Sequence, residues 1–251
     1  MLRWSAILLF FGLLSGCVTV SEDETGDSFD NVQAAEARVT LGLNYMQQGQ
    51  WQRARENLEL AMQYAPDYYR SLIGMAYYLQ NVGSDDEAEG LYKKALRYSP
   101  DNGDVLNNYG VFLCRKERYD DAQNAFSKAI KQPYYYQVAA SYENAAFCEL
   151  KAGNRETAIY KFEKALANEP TRPKTLLQLA DIKIEDDKYN QARLHLFAFN
   201  KRYGYQPTSL LMLIQLEAKA GRQIEVDRYG ELLATMYPDS EQYQRYIAND
   251  Y

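Results

Sequence analysis

Residues 103–133 read GDVLNNYGVFLCRKERYDDAQNAFSKAIKQP. Gly110 is followed twelve residues on by Ala122; Phe126 comes four later, Ala129 three after that, and Pro133 ends the stretch. Steps of four and three put Ala122, Phe126 and Ala129 on one helical face, and proline cannot continue a helical hydrogen-bond ladder. The signature recurs on both sides, as Ala54/Leu58/Ala61, Ala88/Tyr92/Ala95, Ala158/Phe162/Ala165 and Ala192/Leu196/Phe199. The leading alanines of the five copies are 34, 34, 36 and 34 residues apart. A small residue stands twelve before each (Gly42, Ala76, Gly110, Ala146, Ala180), and Pro66, Pro100 and Pro170 close further copies.

A fixed period of this kind marks a repeat architecture. The pattern resembles the tetratricopeptide repeat, from residue 35 to about 238. The expected fold is all-α, a right-handed superhelical solenoid of about six helix pairs, with units at 35–68, 69–102, 103–138, 139–172, 173–206 and 207–240. In each pair, small residues midway along helix A and early in helix B let the axes approach to about 8 Å. The aromatic residue or leucine fills the wedge between units, and stability comes from stacking, because no unit buries its apolar face alone. Gln48-Gly49-Gln50, Val82-Gly83-Ser84, Ala152-Gly153-Asn154 and Glu185-Asp186-Asp187 supply the turns. Unit three carries a two-residue insertion around Gln132-Pro133-Tyr134-Tyr135-Tyr136, expected as a modified turn, with Tyr134 to Tyr136 as an aromatic rim on the partner-facing edge. The sixth unit has Val226 and Gly230 where alanine and an aromatic residue are expected, which reads as a solvent-facing cap, and the tail 241–251 either prolongs its helix or frays.

The N-terminus reads as an address. Arg3, an apolar run from Ala6 to Leu14 and then Leu14-Ser15-Gly16-Cys17 make a signal peptide over residues 1–16, too short to span a bilayer. The ending resembles the bacterial lipobox, which implies lipidation of Cys17; Val18 after it, and not aspartate, implies sorting to the outer membrane, anchored at the periplasmic face. Acyl chains contribute about 0.8 kcal/mol per buried methylene, enough to tether the chain without a spanning helix. Residues 17–33 are polar and acidic and are expected as a flexible linker.

Composition narrows the function. With 28 Lys+Arg against 34 Asp+Glu, the net charge of −6 argues against nucleic-acid binding. One histidine and three scattered cysteines leave little for a zinc site. There is no Ser/His/Asp arrangement and no phosphate-cradling glycine loop, His195 between Leu194 and Leu196 reads as a packing residue, and no cofactor, small-molecule substrate or enzymatic activity is expected. The 23 tyrosines mostly take packing positions in a thin two-layer solenoid.

The concave wall of such a solenoid is lined by helix A. Its candidate partner-binding residues are Val39, Leu43, Met46, Ile73, Tyr77, Asn107, Asn108, Val111, Asn144, Phe147 and Gln178, with Glu143, Leu177, Asp181 and Ile184 beside them. Apolar groups exposed there suit a binding surface. Asn108, Asn144 and Gln178 share one position in successive units, and amides can pair with both groups of a peptide backbone. That resembles the asparagine ladder with which some family members hold extended peptides; solvated or intrahelical contacts are the alternative. The basic clamp for a C-terminal carboxylate is missing. Cys114 and Cys148 fall at similar height on neighbouring A helices. In an oxidising compartment either a disulfide, which needs Cα atoms about 4.4–6.8 Å apart, or two buried free thiols would fit, and the bridge is favoured.

A lipobox, a short acidic linker and six such units, together with Asn107-Asn108-Tyr109-Gly110-Val111-Phe112-Leu113-Cys114 and the second cysteine in unit four, resemble the lipoprotein family of type IV pilus biogenesis and stability. The resemblance implies a pilotin: a lipid-anchored adaptor that helps the outer-membrane secretin reach its membrane and multimerise. Another outer-membrane repeat lipoprotein, a scaffold for barrel assembly or an adaptor for cell-wall hydrolases, is the alternative.

Overall fold

The computed structural model describes residues 30–251. The signal peptide, Cys17 and the linker as far as residue 29 lie outside the described residues. The described chain forms thirteen α-helices: α1 Asn31–Gln47, α2 Trp51–Tyr64, α3 Tyr69–Asn81, α4 Asp85–Tyr98, α5 Gly103–Arg115, α6 Tyr119–Ile130, α7 Val138–Lys151, α8 Arg155–Asn168, α9 Pro173–Glu185, α10 Tyr189–Tyr203, α11 Pro207–Lys219, α12 Gln223–Met236 and α13 Glu241–Ile247. The first twelve make six antiparallel pairs stacked as a tetratricopeptide solenoid. No helix among the described residues is long and apolar enough to cross a membrane.

The linker ends earlier than expected. Asp30 caps α1, its Oδ1 accepting from the backbone N–H groups of Val32 at 2.9 Å and Gln33 at 3.1 Å, so residues 31–33 are already helical. Satisfying two of the four orphan donors at a helix start is what aspartate does well.

The recurring triplets are the ribs of the core. Leu58, Tyr92, Phe126, Phe162 and Leu196 and their flanking alanines are buried. The small residues opposite them are small by necessity: a Cβ on Gly42 would lie 2.7 Å from Leu58 Cγ, and one on Gly110 would lie 2.7 Å from the Phe126 ring. Unit six inverts this arrangement. Ile214 stands where the other units have a small residue and Gly230 where they have a large one, so the pair conserves volume. The space over Gly230 is taken by Tyr246 of α13, whose ring carbon would be 2.1 Å from a Cβ there. One apolar cluster joins Leu210, Ile214, Val226 and Leu233 to Tyr243 and Tyr246. Unit six is therefore not the solvent-facing cap, and the tail neither prolongs α12 nor frays. It forms a separate helix, capped by Ser240 through a 3.1 Å bond from the Tyr243 N–H, and closes the end of the stack.

The insertion in unit three is a tight turn. Pro133 and Tyr134 are its central residues, Tyr134 at φ 60°, and the Tyr135 N–H reaches back to the Gln132 carbonyl at 3.4 Å. Tyr134 is fully exposed. Tyr135 is held: its ring covers Gly103, where a Cβ would approach to 2.3 Å, and its hydroxyl lies 3.1 Å from Ser141 Oγ.

Candidate functional site

The wall formed by the first helices of the pairs is divided. An N-terminal cleft of about 450 Å³ is built on α1, α3 and the start of α5. Six of the expected residues line it: Val39, Leu43, Met46, Ile73, Tyr77 and Asn108. They are joined by Tyr136, expected as part of an aromatic rim on the partner-facing edge, and by Trp51, Tyr69, Arg70, Asn81, Asp104 and Gln137, none of which the sequence singled out for the groove. A second cleft of about 450 Å³ lies along α7, α9 and α11 and takes Phe147 and Gln178, together with Lys174, Leu177, Asp181, Leu211 and Met212, and Gln242 and Arg245 from α13.

Several expected groove positions behave differently. Val39 and Met46 reach the cleft floor but are only 3% and 8% exposed, because the face of α1 that meets the groove also packs on α2 and α3. Asn107, 9% exposed, lies in neither cleft; its Oδ1 accepts from Ser141 Oγ at 2.9 Å and from Asn144 Nδ2 at 3.1 Å. Asn144 is thus engaged in pairing α5 with α7, and no run of free amides crosses the middle of the wall. Asn108 turns one amide hydrogen to the Asp104 carbonyl at 2.8 Å, the intrahelical alternative. Val111 is half-buried in the core beneath units two to four. Glu143 and Ile184 are buried. Burial pushes the Glu143 carboxyl up, but the guanidinium of Arg172 and the hydroxyl of Thr175 outweigh it and hold it below the usual carboxylate range.

Between the clefts, at the junction of α5 and α7, Cys114 and Cys148 lie buried with Cα atoms 5.8 Å apart and their sulfurs within bonding distance. His195 is half-buried; burial, then the charge of Lys183, keeps its pKa low, which suits a neutral packing imidazole. Among the described residues no group of three or more His, Cys, Asp and Glu side chains could hold a metal.

The signal for the missed cleft residues was present but not periodic. Tyr136 and Gln137 belong to the insertion, and Asp104, in the first turn of α5, meets them at the cleft. Gln137 Nε2 donates to Asp104 Oδ1 at 3.1 Å and to the Tyr136 hydroxyl oxygen at 3.1 Å, tying the two together. Burial pushes the Asp104 carboxyl up, against the nearby charge of Arg70.

Tetratricopeptide-repeat family models match residues 35–68, 91–124 and 113–173. The chain is 29% identical to the type IV pilus assembly protein PilF of Pseudomonas aeruginosa over 249 residues, 98% of each protein. The structure of the Pseudomonas protein superposes with a TM-score of 0.70, covering 87% of this chain and 99% of that one. PilW, a widely conserved type IV pilus biogenesis factor, is similar at 25% identity and a TM-score of 0.73, over 86% of this chain and 99% of its own. An uncharacterised protein of Haemophilus influenzae is 34% identical over 160 residues, 64% of this chain and 87% of that relative. With helix pairs, burial pattern and end-to-end similarity in agreement, the chain belongs to the tetratricopeptide-repeat family and is a homologue of PilF.

Proposed function

We propose that this protein is a non-enzymatic, lipid-anchored adaptor in type IV pilus biogenesis, acting as a pilotin for the outer-membrane secretin. The observation that carries the reading is similarity to PilF over 98% of both chains, lipobox region included. A solenoid with a cleft lined by exposed aromatic rings supports the adaptor role, since such surfaces are kept for partners. In this reading Cys17 carries the acyl chains, the linker gives reach from the outer membrane, and the N-terminal cleft holds a segment of the secretin. Cys114 and Cys148 form a disulfide that clips unit three to unit four, so the groove keeps its curvature under load.

The test is a pull-down from detergent-solubilised envelopes, with the acylated protein as bait and mass spectrometry as readout. The secretin should be recovered, and recovered less by an Ile73→Asn/Tyr77→Ala variant. Recovery of barrel-assembly proteins or cell-wall hydrolases in its place would keep the architecture and discard the pilotin role. Radiolabelled palmitate should enter the wild type and not Cys17→Ser. Thiol labelling of the unreduced, denatured protein should find Cys114 and Cys148 blocked.

A further inference from the structure

The N-terminal cleft has one cation and one anion on its wall, and they are treated differently. Arg70 is engaged, its Nη1 3.2 Å from Glu36 Oε1, and Tyr68 donates its hydroxyl to that same carboxylate oxygen. Asp104 has no such partner. Among the described residues its one side-chain donor is the neutral amide of Gln137. A half-buried carboxylate without a counter-ion is costly. The first turn of α5 offsets part of that through the helix dipole. Yet the first turns of α4 and α6 carry acids that are paired with bases, Asp85 with Lys116 at 2.9 Å and Asp121 with Arg118 at 2.8 Å, so the dipole alone does not account for how Asp104 is left.

What surrounds it is built for a cation. Tyr136 is 82% exposed and Tyr77 42% exposed, and both line the same cleft. The faces of such rings attract ammonium and guanidinium groups. Gln137 uses both amide hydrogens to hold Asp104 and Tyr136 in one corner. Behind them Tyr135, clamped over Gly103, fixes the turn that carries Tyr136. Asn81 and Asn108 each turn one N–H inward, to the carbonyls of Tyr77 and Asp104, and keep a carbonyl oxygen and a second N–H for an extended backbone. Leu43 and Ile73 give an apolar floor.

We infer that the N-terminal cleft receives an extended basic segment of its partner, in which an arginine or lysine side chain pairs with Asp104 against the rings of Tyr77 and Tyr136. In an extended chain the residue two positions on points the same way, and its aliphatic side chain enters the floor at Leu43 and Ile73. The two-residue insertion in unit three is then the selectivity element: without it the cleft would lose Tyr136 and the hold on Asp104. This inference rests on the cleft being the receptor for the partner, and it adds the chemistry of what is received.

Trp51 lines the cleft and provides the readout, since Trp4 is the only other tryptophan in the sequence. The acylated protein, from which removal of residues 1–16 takes Trp4, is titrated in a neutral detergent with the decapeptide Arg-Ser-Val-Ser-Arg-Ser-Val-Ser-Arg-Ser, in which arginine and valine stand two positions apart, while Trp51 emission is followed. The same titration uses counterparts with citrulline or glutamate in place of arginine. The arginine peptide should bind at least tenfold tighter than the citrulline one, and the glutamate peptide should not bind. Asp104→Asn should abolish the preference for arginine over citrulline, Tyr136→Ala should weaken the arginine peptide about tenfold, and Asp181→Asn in the other cleft should change neither. Circular-dichroism melts of each variant guard against unfolding. Equal binding of the arginine and citrulline peptides, preference for glutamate, or no emission change with any of them would overturn the inference. The envelope pull-down reads the pilotin role separately, so secretin recovery alongside arginine-blind binding would fault only the chemistry assigned here.

Discussion

The two clefts of the wall have the same volume and stand on the same repeated helix pairs, yet they differ in what they offer. The N-terminal one has four aromatic side chains, Trp51, Tyr69, Tyr77 and Tyr136, around an aliphatic floor. The C-terminal one has Phe147 alone among aromatics and mixes Lys174, Asp181 and Arg245 with Leu177 and Leu211. Neither character comes from the repeat. Tyr136 enters through the insertion in unit three, and Arg245 through α13, which docks because Gly230 leaves room for Tyr246. The repeat builds the wall; its two breaks in periodicity decide what each end of the wall can hold.

The halves also differ in how their units are stitched. In the C-terminal half two pairs between units are buried, Glu143 with Arg172 at 2.7 Å, side chains 8% and 18% exposed, and Glu217 with Arg193 at 2.7 Å, while Arg155 pairs with Glu185 and Asp186 nearer the surface. In the N-terminal half the pair between Glu36 and Arg70 is open to solvent, at 41% and 44%. Removing one partner of a buried pair strands a charge. Arg172→Met should therefore cost about 3–5 kcal/mol, read as a drop in urea midpoint at unchanged slope. Adding Glu143→Gln, which removes the stranded charge, should recover most of it; no recovery would mean that Arg172 acts through packing.

The breaks in periodicity can be tested in parallel. Gly230→Leu should expel Tyr246, and Gly103→Leu should expel Tyr135, each costing about 1–3 kcal/mol by overpacking. Their local effects should be opposite. The first should raise hydrogen exchange in α13 and leave Trp51 emission unchanged; the second should shift Trp51 emission and leave α13 protected. If both variants disturbed both ends, the clefts would be one coupled unit.

This division follows what was legible in the sequence. Gly110, Ala122, Phe126 and Ala129 gave the fold because each position recurs, and a period can be seen in one chain. The groove was legible only as far as helix A was periodic, which is why Leu43, Ile73 and Tyr77 were found. Val39 and Met46 were misjudged as exposed, since position in the repeat does not say how deep a side chain sits once the next helix packs on it. Tyr136 was read as part of a partner-facing rim, but Asp104 and Gln137 were missed, because the meeting of the three depends on a turn of irregular geometry, centred on Tyr134 at φ 60°. Gly230 looked like decay of the motif because its partner, Tyr246, lies in a tail that no other unit has.

Acid should loosen the buried pair of Glu143 and Arg172 more gently. Burial raises the Glu143 carboxyl, and Arg172 and Thr175 more than reverse that, so its folded value lies below the unfolded one. A depressed carboxylate stabilises the fold fully above its unfolded pKa, about 4.3 for glutamate, and the contribution fades as pH falls through the lower folded value. Below about pH 4, hydrogen exchange should therefore rise in α7 and α9, which that pair joins, and Arg172→Met should remove this step. Persistence of the step in the variant would assign it to other carboxylates.

The smallest effect on stability belongs to Arg70→Met. Its ion pair with Glu36 is more than a third exposed on both sides, and pairs of that kind contribute about 0–1 kcal/mol. The melting curve should scarcely move. The cleft should respond all the same. Arg70 is the one cation on its wall, and its field acts on Asp104. With it gone, Glu36 is released and Asp104 faces the cleft without a competing positive charge. The valine–arginine peptide should then bind severalfold tighter while the citrulline peptide is unchanged, an outcome that a purely structural Arg70 would not produce. Weaker binding of both peptides would instead assign Arg70 to shaping the wall between α1 and α3.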